Sequence, residues 1–387
     1  MLMGCGVIVF QFGQSAPLQP AIDVPIPLFE EMSMQLTVTR RDQLKSKPDE
    51  NKLGFGTLFT DHMFNMDYAP DKGWHNARIE PYEPFVLDPA TMIFHYGQGI
   101  FEGLKAYRTA DGHIQMFRPQ ANLKRMNYSA GKLCIPKIDE AFALEALKEL
   151  LRVEQAWVPS APGTSLYIRP TVIATDPYLG VRASHTYRFY IILSPVGAYY
   201  PEGFNPVKIM VTREHVRAVR GGIGDTKTMA NYAASLLAGE KAHEAGYTQV
   251  LWLDGVEQKY VEEVGSMNIL FVMDGELVTP MLNGSILPGV TRDSVLALAK
   301  SWGMPVSERR ISIDEVFEAH SAGRLSEIFG SGTAAVVSPV GELKYEDRVI
   351  TIGGGKVGPV AQRLFDTISD IQYGRAEDTL GWVEPVL

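Results

Sequence analysis

Gly221-Gly222-Ile223-Gly224-Asp225-Thr226-Lys227 leads a flexible, backbone-exposing run up to one lysine. Apolar residues then recur at helical spacing over 229–245, a helix that would hold the lysine rigid. Asn231 and Tyr232 follow it by four and five positions, about one helical turn. An amine at a loop-to-helix junction can be partly desolvated, which lowers its pKa and frees it for Schiff-base chemistry. Taken alone, Lys227 reads more readily as one more solvated lysine.

Three further segments give that amine company. Glu262-Glu263 stands just before a strand pattern at 268–272, beside Gly265 and Ser266. A buried carboxylate there could keep a pyridinium nitrogen protonated, although acidic residues at a strand edge are commonly just solvated. Leu287-Pro288-Gly289-Val290-Thr291 opens a helical pattern at 290–302, and the free N–H groups and positive dipole of a helix start suit a phosphate. Gly330-Ser331-Gly332-Thr333-Ala334-Ala335 is a loop of small residues able to turn N–H donors toward an anion. An ordinary helix start and an ordinary turn would explain the last two by themselves. Together the four supply a nucleophilic amine, a carboxylate and two anion cradles, the set that pyridoxal 5′-phosphate requires.

The elements that must position these groups alternate without a regular βαβ rhythm. Strand patterns fall at 165–175, 187–193, 207–211, 248–253 and 268–272, and Asp274-Gly275 joins 268–273 to 276–279 as a hairpin. Helical periodicity marks 141–157, 229–245 and 290–302. The Gly/Pro/Tyr-rich stretch 195–206 suits an interdomain connection. The expected organisation is a flexible extension at 1–34, a small α/β domain at 35–195, a loop at 196–206 and a larger domain at 207–387. The fold class is α+β.

Composition closes off other chemistries. The 387 residues carry 36 Lys plus Arg against 45 Asp plus Glu, a formal charge of −9 without a long basic run, which is no footprint for nucleic acid. With 45% hydrophobic residues the chain can build a sizeable core rather than stay disordered. Cys5 and Cys134 are the only cysteines, so neither a disulfide scaffold nor a thiolate zinc site is expected, and a reducing, cytoplasmic setting fits. The apolar stretch 1–10 is too short to span a bilayer, which needs about 20 apolar residues. No basic residue precedes Arg40, against a signal peptide; 11–26 reads as a loose extension, and Met32 or Met34 is an expected alternative start. Gly97-Gln98-Gly99 and Gly222-Ile223-Gly224 reach Glu102 and Lys227 where a dinucleotide motif needs glycine. Gly353-Gly354-Gly355-Lys356 ends on Val357 where a P-loop needs Ser or Thr.

Several separated segments give the chain a specific resemblance over about 55–382. They are Phe55-Gly56 with Thr60-Asp61-His62-Met63, Phe101-Glu102-Gly103-Leu104-Lys105-Ala106-Tyr107, Phe117-Arg118-Pro119, and Leu166-Tyr167-Ile168-Arg169-Pro170. Lys227 with Asn231-Tyr232, Glu263-Val264-Gly265 with Asn268, Leu287 through Arg292, and Ser331-Gly332-Thr333-Ala334-Ala335 complete the set. Their pattern resembles the branched-chain amino acid aminotransferases of the class IV, fold type IV, pyridoxal-phosphate family. D-amino acid aminotransferases and aminodeoxychorismate lyases of that fold are shorter and lack the Phe-Glu-Gly-Leu-Lys-Ala segment.

The resemblance implies a two-domain homodimer, or a dimer of dimers, moving amino groups reversibly between Leu, Ile or Val and 2-oxoglutarate. It implies that Lys227 bonds the cofactor and moves the reacting proton, that Glu263 pairs with the ring nitrogen, and that Tyr232 meets the ring's phenolic oxygen. Arg125, the N–H groups of Val290 and Thr291, and Thr333 would hold the phosphate, with Ser266 close by. Tyr167 and the N–H groups of Thr333 and Ala334 would take the α-carboxylate. Phe55, Phe101 and Tyr199, with Tyr96, Leu179 and Val181 from the second subunit, would wall the side-chain pocket, where burying Leu, Ile or Val is worth roughly 1.5–3 kcal/mol. Arg169, helped by the hydroxyls of Tyr96 and Tyr199, would meet the γ-carboxylate of glutamate. Ala335 and Ser338 stand where some members carry a C-x-x-C pair, so thiol control at that loop is not expected.

Overall fold

The computed structural model describes residues 35–197 and 203–387. The expected extension at 1–34, the alternative starts, and Tyr199 lie outside the described residues.

The first sheet contains β1 (Thr37–Val38), β2 (His62–Ala69), β3 (Gly73–Pro81), β4 (Gly99–Phe101), β5 (Leu104–Arg108), β6 (Ile114–Phe117), β7 (Ser165–Ala174) and β8 (Tyr187–Val196). Its order is β1-β3-β2-β8-β7-β5-β6, and β4 also pairs with β7. β7 and β8 pair antiparallel from Ser165↔Val196 to Ala174↔Tyr187. Along β7 the side chains alternate: Leu166, Ile168 and Val172 are wholly buried, while Tyr167 and Arg169 turn to the opposite face.

Helices α1 (Met92–Tyr96), α2 (Pro119–Lys132) and α3 (Glu140–Val153) accompany this sheet. α3 has its cap at Asp139, whose carboxylate accepts from the Ala141 and Phe142 N–H groups, and it buries Ala143, Ala146, Leu147, Leu150 and Leu151, one stripe at helical spacing. α2 opens on Pro119 and buries a mixed stripe instead. Asn122, Arg125 and Ser129 lie three or four residues apart on it; the first two donate to Glu102, and Ser129 accepts the Lys227 N–H.

The second sheet contains β9 (Val207–Val211), β10 (Gln249–Leu253), β11 (Val261–Val264), β12 (Met267–Met273), β13 (Glu276–Pro280), β14 (Val306–Arg309), β15 (Leu325–Gly332), β16 (Val336–Tyr345) and β17 (Arg348–Thr351). The order β11-β10-β9-β16-β15-β12 closes on itself because β11 also pairs with β12. Ile209, Leu251, Ile269 and Phe271 belong to the core of this ring. The C-terminal strand β18 (Val383–Pro385) returns to pair with β6 in the first sheet. The remaining helices are α4 (Met229–Ala233), α5 (Leu236–Glu244), α6 (Val290–Ser301), α7 (Ile313–Ser321) and α8 (Pro359–Gln372).

The expected strands appear, and the hairpin turns through Asp274 and Gly275, both at positive φ. Four sequence expectations are corrected. The helix over 229–245 is broken into α4 and α5, because the N–H and hydroxyl of Ser235 both go to the Tyr232 carbonyl and tighten the chain there. Glu262-Glu263 precedes β12 but itself lies inside β11, and both residues are buried: Glu263 holds partners on both oxygens, whereas Glu262 is met on Oε1 alone, by Ser285 and Asn283. Of the loop expected at 330–335, the first three residues end β15 and only 333–335 form the turn. The helix expected over 141–157 finishes as a separate 3₁₀ turn at Gln155–Trp157. Among the described residues no helix is long and apolar enough to cross a membrane, and no group of three His, Cys, Asp or Glu is placed to hold a metal ion.

Candidate active site

A cavity of about 550 Å³ is lined from both sheets. Lys227 enters it just ahead of α4, and its backbone is pinned from the first-sheet side. The Lys227 N–H donates to Ser129 Oγ at 3.0 Å, and the Lys227 carbonyl accepts the Phe101 N–H at 3.0 Å. The next residue, Thr228, is wholly buried and donates its hydroxyl to the Gly99 carbonyl. Asn231 reaches back from α4 to the carbonyls of Ile223 and Thr226, which fixes the glycine-rich approach. The amine donates to Tyr232 Oη at 2.5 Å and lies 4.8 Å from the Phe101 ring centroid. Little of the lysine is therefore free to wander.

Glu263 projects from β11 into the same cavity and is 3% exposed. Burial pushes its carboxyl up, and the Arg217 guanidinium pulls it back toward the charged form. Arg217 Nε lies 2.7 Å from Oε2, while Oε1 accepts the Leu287 N–H at 2.9 Å. Asn268 ties the Leu287 carbonyl to the same group. Ser266 occupies the turn between β11 and β12 and lines the cavity.

One end of the cavity is cationic and rich in donors. Arg125 is held by Glu102, itself wholly buried, through Nε at 2.8 Å and a terminal nitrogen at 2.7 Å, with its other arm on the Pro288 carbonyl. This fork leaves guanidinium N–H groups uncommitted beside the start of α6. Gly289 caps α6 without a side-chain bond, and Val290 and Thr291 line the cavity with first-turn N–H groups. A Cβ on Gly289 would come within 2.0 Å of Asn268 Oδ1, so only glycine lets the backbone approach.

The other end carries Tyr167 and Arg169 from β7, with Phe55 packed edge-on to Tyr167 at 5.1 Å. Arg169 donates to Tyr167 Oη at 2.9 Å and spreads over the Phe101 ring, while its buried Nε has no partner among the described residues. Thr333 and Ala334 line the cavity from the β15–β16 turn, whose Ala334 carbonyl accepts from Lys105 Nζ at 2.8 Å. The turn ends on Val336 at φ 61°, a left-handed conformation costing a β-branched residue on the order of 1–2 kcal/mol.

Of the other expected residues, Tyr96, Leu179 and Val181 do not reach this cavity; they are exposed together, with the Tyr96 hydroxyl donating to the Leu179 carbonyl. Sequence reasoning assigned no role to Asn268, or to Glu102 and Arg217, whose charged partners Arg125 and Glu263 lie far along the chain. It also passed over Thr171, Tyr190 and Ile192 on the cavity wall. The period-two alternation of β7, which places Thr171 beside Tyr167 and Arg169, was the signal that could have found the first.

An amine, an ion-paired carboxylate, an arginine-backed helix start and a turn of small residues thus face one space. The amino-transferase class IV family matches residues 99–343. Branched-chain-amino-acid aminotransferase 2 of Bacillus subtilis (strain 168) is 58% identical over 357 residues, covering 92% of this chain and 97% of that protein. The crystal structure of Escherichia coli branched-chain amino acid aminotransferase aligns with a TM-score of 0.71 at 28% identity, over 84% of this chain and 99% of that one. A T.th. branched-chain amino acid aminotransferase complexed with N-(5′-phosphopyridoxyl)-L-glutamate aligns with a TM-score of 0.69 at 28% identity, over 87% of this chain and 99% of that one. The α+β architecture is that of fold type IV. The chain belongs to the amino-transferase class IV family, among its branched-chain-amino-acid aminotransferases.

Proposed function

We propose that the chain is a pyridoxal 5′-phosphate-dependent branched-chain-amino-acid aminotransferase, exchanging amino groups between Leu, Ile or Val and 2-oxoglutarate. What carries this is the convergence of Lys227, Glu263, Arg125 and the start of α6 on one cavity. A cavity of this volume is of the size usual for small-molecule sites.

The residues fit the cofactor group by group. The cofactor supplies an electrophilic aldehyde and a ring that draws electrons from the substrate's Cα. Lys227 Nζ is the one amine lining the cavity among the described residues, and it moves the proton at the substrate Cα. Tyr232 orients that amine and presents its hydroxyl to the ring's phenolic oxygen. Glu263, whose charged form Arg217 favours, faces the ring nitrogen. Arg125, the N–H groups of Val290 and Thr291, and the Thr333 hydroxyl hold the phosphate, with Ser266 at its side.

Tyr167 and the N–H groups of Thr333 and Ala334 bind the α-carboxylate. Phe55 and Phe101 wall the side-chain pocket, and Arg169 meets the γ-carboxylate of glutamate through its Nε, which has no partner among the described residues. The exposed Tyr96, Leu179 and Val181 support a homodimer in which each copy walls the other's pocket. The division into domains at 196–206 and a cytoplasmic setting belong to the same proposal. Incubation with L-leucine and 2-oxoglutarate tests it: glutamate is expected, whereas turnover of D-alanine without glutamate would overturn it.

A further inference from the structure

We infer that Arg217 is a positioning residue that ties the Glu263 carboxylate and the glycine-rich approach to Lys227 into one unit. The inference rests on the cofactor assignment above. Arg217 does not line the cavity; it meets Glu263 from outside, and both side chains are buried, 7% and 4% exposed. Its Nε is 2.7 Å from Glu263 Oε2, while a terminal nitrogen donates to the carbonyls of Gly224 and Ser285. Gly224 belongs to the run that ends at Lys227. A Cβ there would meet the Ser285 carbonyl oxygen at 2.4 Å, so the contact Arg217 bridges exists only because position 224 is glycine. One guanidinium therefore spans the carboxylate, the approach to the amine and the loop before α6. Its planar fork can do this and a point-charge ammonium cannot.

The charge consequence follows from what surrounds Glu263. It faces Arg217 and Lys227 as cations, the buried Glu262 as a like charge, and the neutral donors of Asn268 and Leu287. Without Arg217, burial and Glu262 both favour the protonated carboxyl, which cannot pair with a protonated ring nitrogen. Burial already raises the Glu263 carboxyl in the wild type, so cofactor affinity would then fall at a higher pH than it does with Arg217 in place.

The test is the cofactor dissociation constant of Arg217→Met against pH, read by absorbance and by protein fluorescence quenching. The expected result is affinity at least tenfold weaker than wild type near pH 6, with the deficit closing as pH rises. Wild-type affinity in the variant, or a loss by the same factor at every pH, would overturn the inference. Arg217→Lys covers the case in which Arg217→Met does not fold. It is expected to keep the wild-type profile but to exchange amide hydrogens faster over 221–226, and unchanged exchange there would overturn the inference. If the wild-type protein binds no cofactor at all, it is the functional proposal that fails.

Discussion

Lys227 Nζ donates to Tyr232 Oη at 2.5 Å, and the two residues stand on either side of the N-terminus of α4. Because α4 starts between them, the helix itself sets the reach of the amine. Tyr232 also packs on Phe101 with ring centroids 4.7 Å apart, so its hydroxyl has little freedom. Removing that hydroxyl by Tyr232→Phe should lower kcat/KM by about 10- to 150-fold, on the order of 1.5–3 kcal/mol for a hydrogen bond to a charged group. Lys227→Ala should lose nearly all turnover. Steady-state kinetics with L-leucine checks both, and a Lys227→Ala protein that keeps turning over would contradict the role.

On the proposed function, Arg169 should separate the two half-reactions. There its guanidinium would be needed only when the side chain in the pocket carries a carboxylate. Arg169→Leu should raise the KM for 2-oxoglutarate by roughly 10- to 150-fold, about 1.5–3 kcal/mol, and leave the leucine half-reaction within a few-fold. Single-turnover absorbance with each substrate reads the split. Equal losses for both would contradict it.

Two glycines guard different ends of the cavity. A Cβ on Gly103 would fall 2.1 Å from Tyr167 Oη, and one on Gly289 would fall 2.0 Å from Asn268 Oδ1. Gly103→Ala should raise the amino acid KM while cofactor affinity holds. Gly289→Ala should instead loosen the cofactor about tenfold or more, ~1.4 kcal/mol. Titration of each apoprotein with pyridoxal 5′-phosphate, beside KM values, distinguishes them.

Lys105 gives stability a pH dependence. Burial lowers its pKa from 10.5 to about 8. Between those values the unfolded chain binds a proton that the folded chain does not, so stability rises with pH across the window. The gain is complete above the unfolded value and is lost as pH falls through the folded one. Lys105→Met removes this contribution. The wild type should therefore gain about 3 kcal/mol on the variant between pH 8 and 10.5. Denaturant titrations at several pH values check it, and a constant difference would contradict it.

The exposed Leu179 and Val181 predict an interface. The wild type should sediment at about 86 kDa, twice its 42.8 kDa chain mass. Val181→Asp should shift it toward monomer and raise the KM for leucine. A wild-type monomer with full activity would contradict that expectation.

What the sequence made legible was local. β9 carries alternating apolar residues at 207–211 and appears with those bounds, and Asp274-Gly275 encodes its own turn. Lys227, Tyr232 and Glu263 stand in motif segments, Arg125 came only through the family resemblance, and all four line the cavity. Their holders were not legible. Glu102 grips Arg125 from 23 positions away, and Arg217 meets Glu263 across α4, α5 and β10. No periodicity reports such pairs, because the fold brings them together and local spacing does not. The break after α4 was hidden for a related reason: the Ser235 hydroxyl bonds back to the Tyr232 carbonyl inside an otherwise helical apolar pattern.

Borohydride reduction of the holoprotein, followed by peptide mass mapping, tests most directly whether the amine of Lys227 holds the cofactor. The expected result is a pyridoxyl tag on the peptide containing Lys227 alone, with loss of activity in proportion to labelling. A tag on another lysine, or a fully active protein that takes no tag, would contradict it.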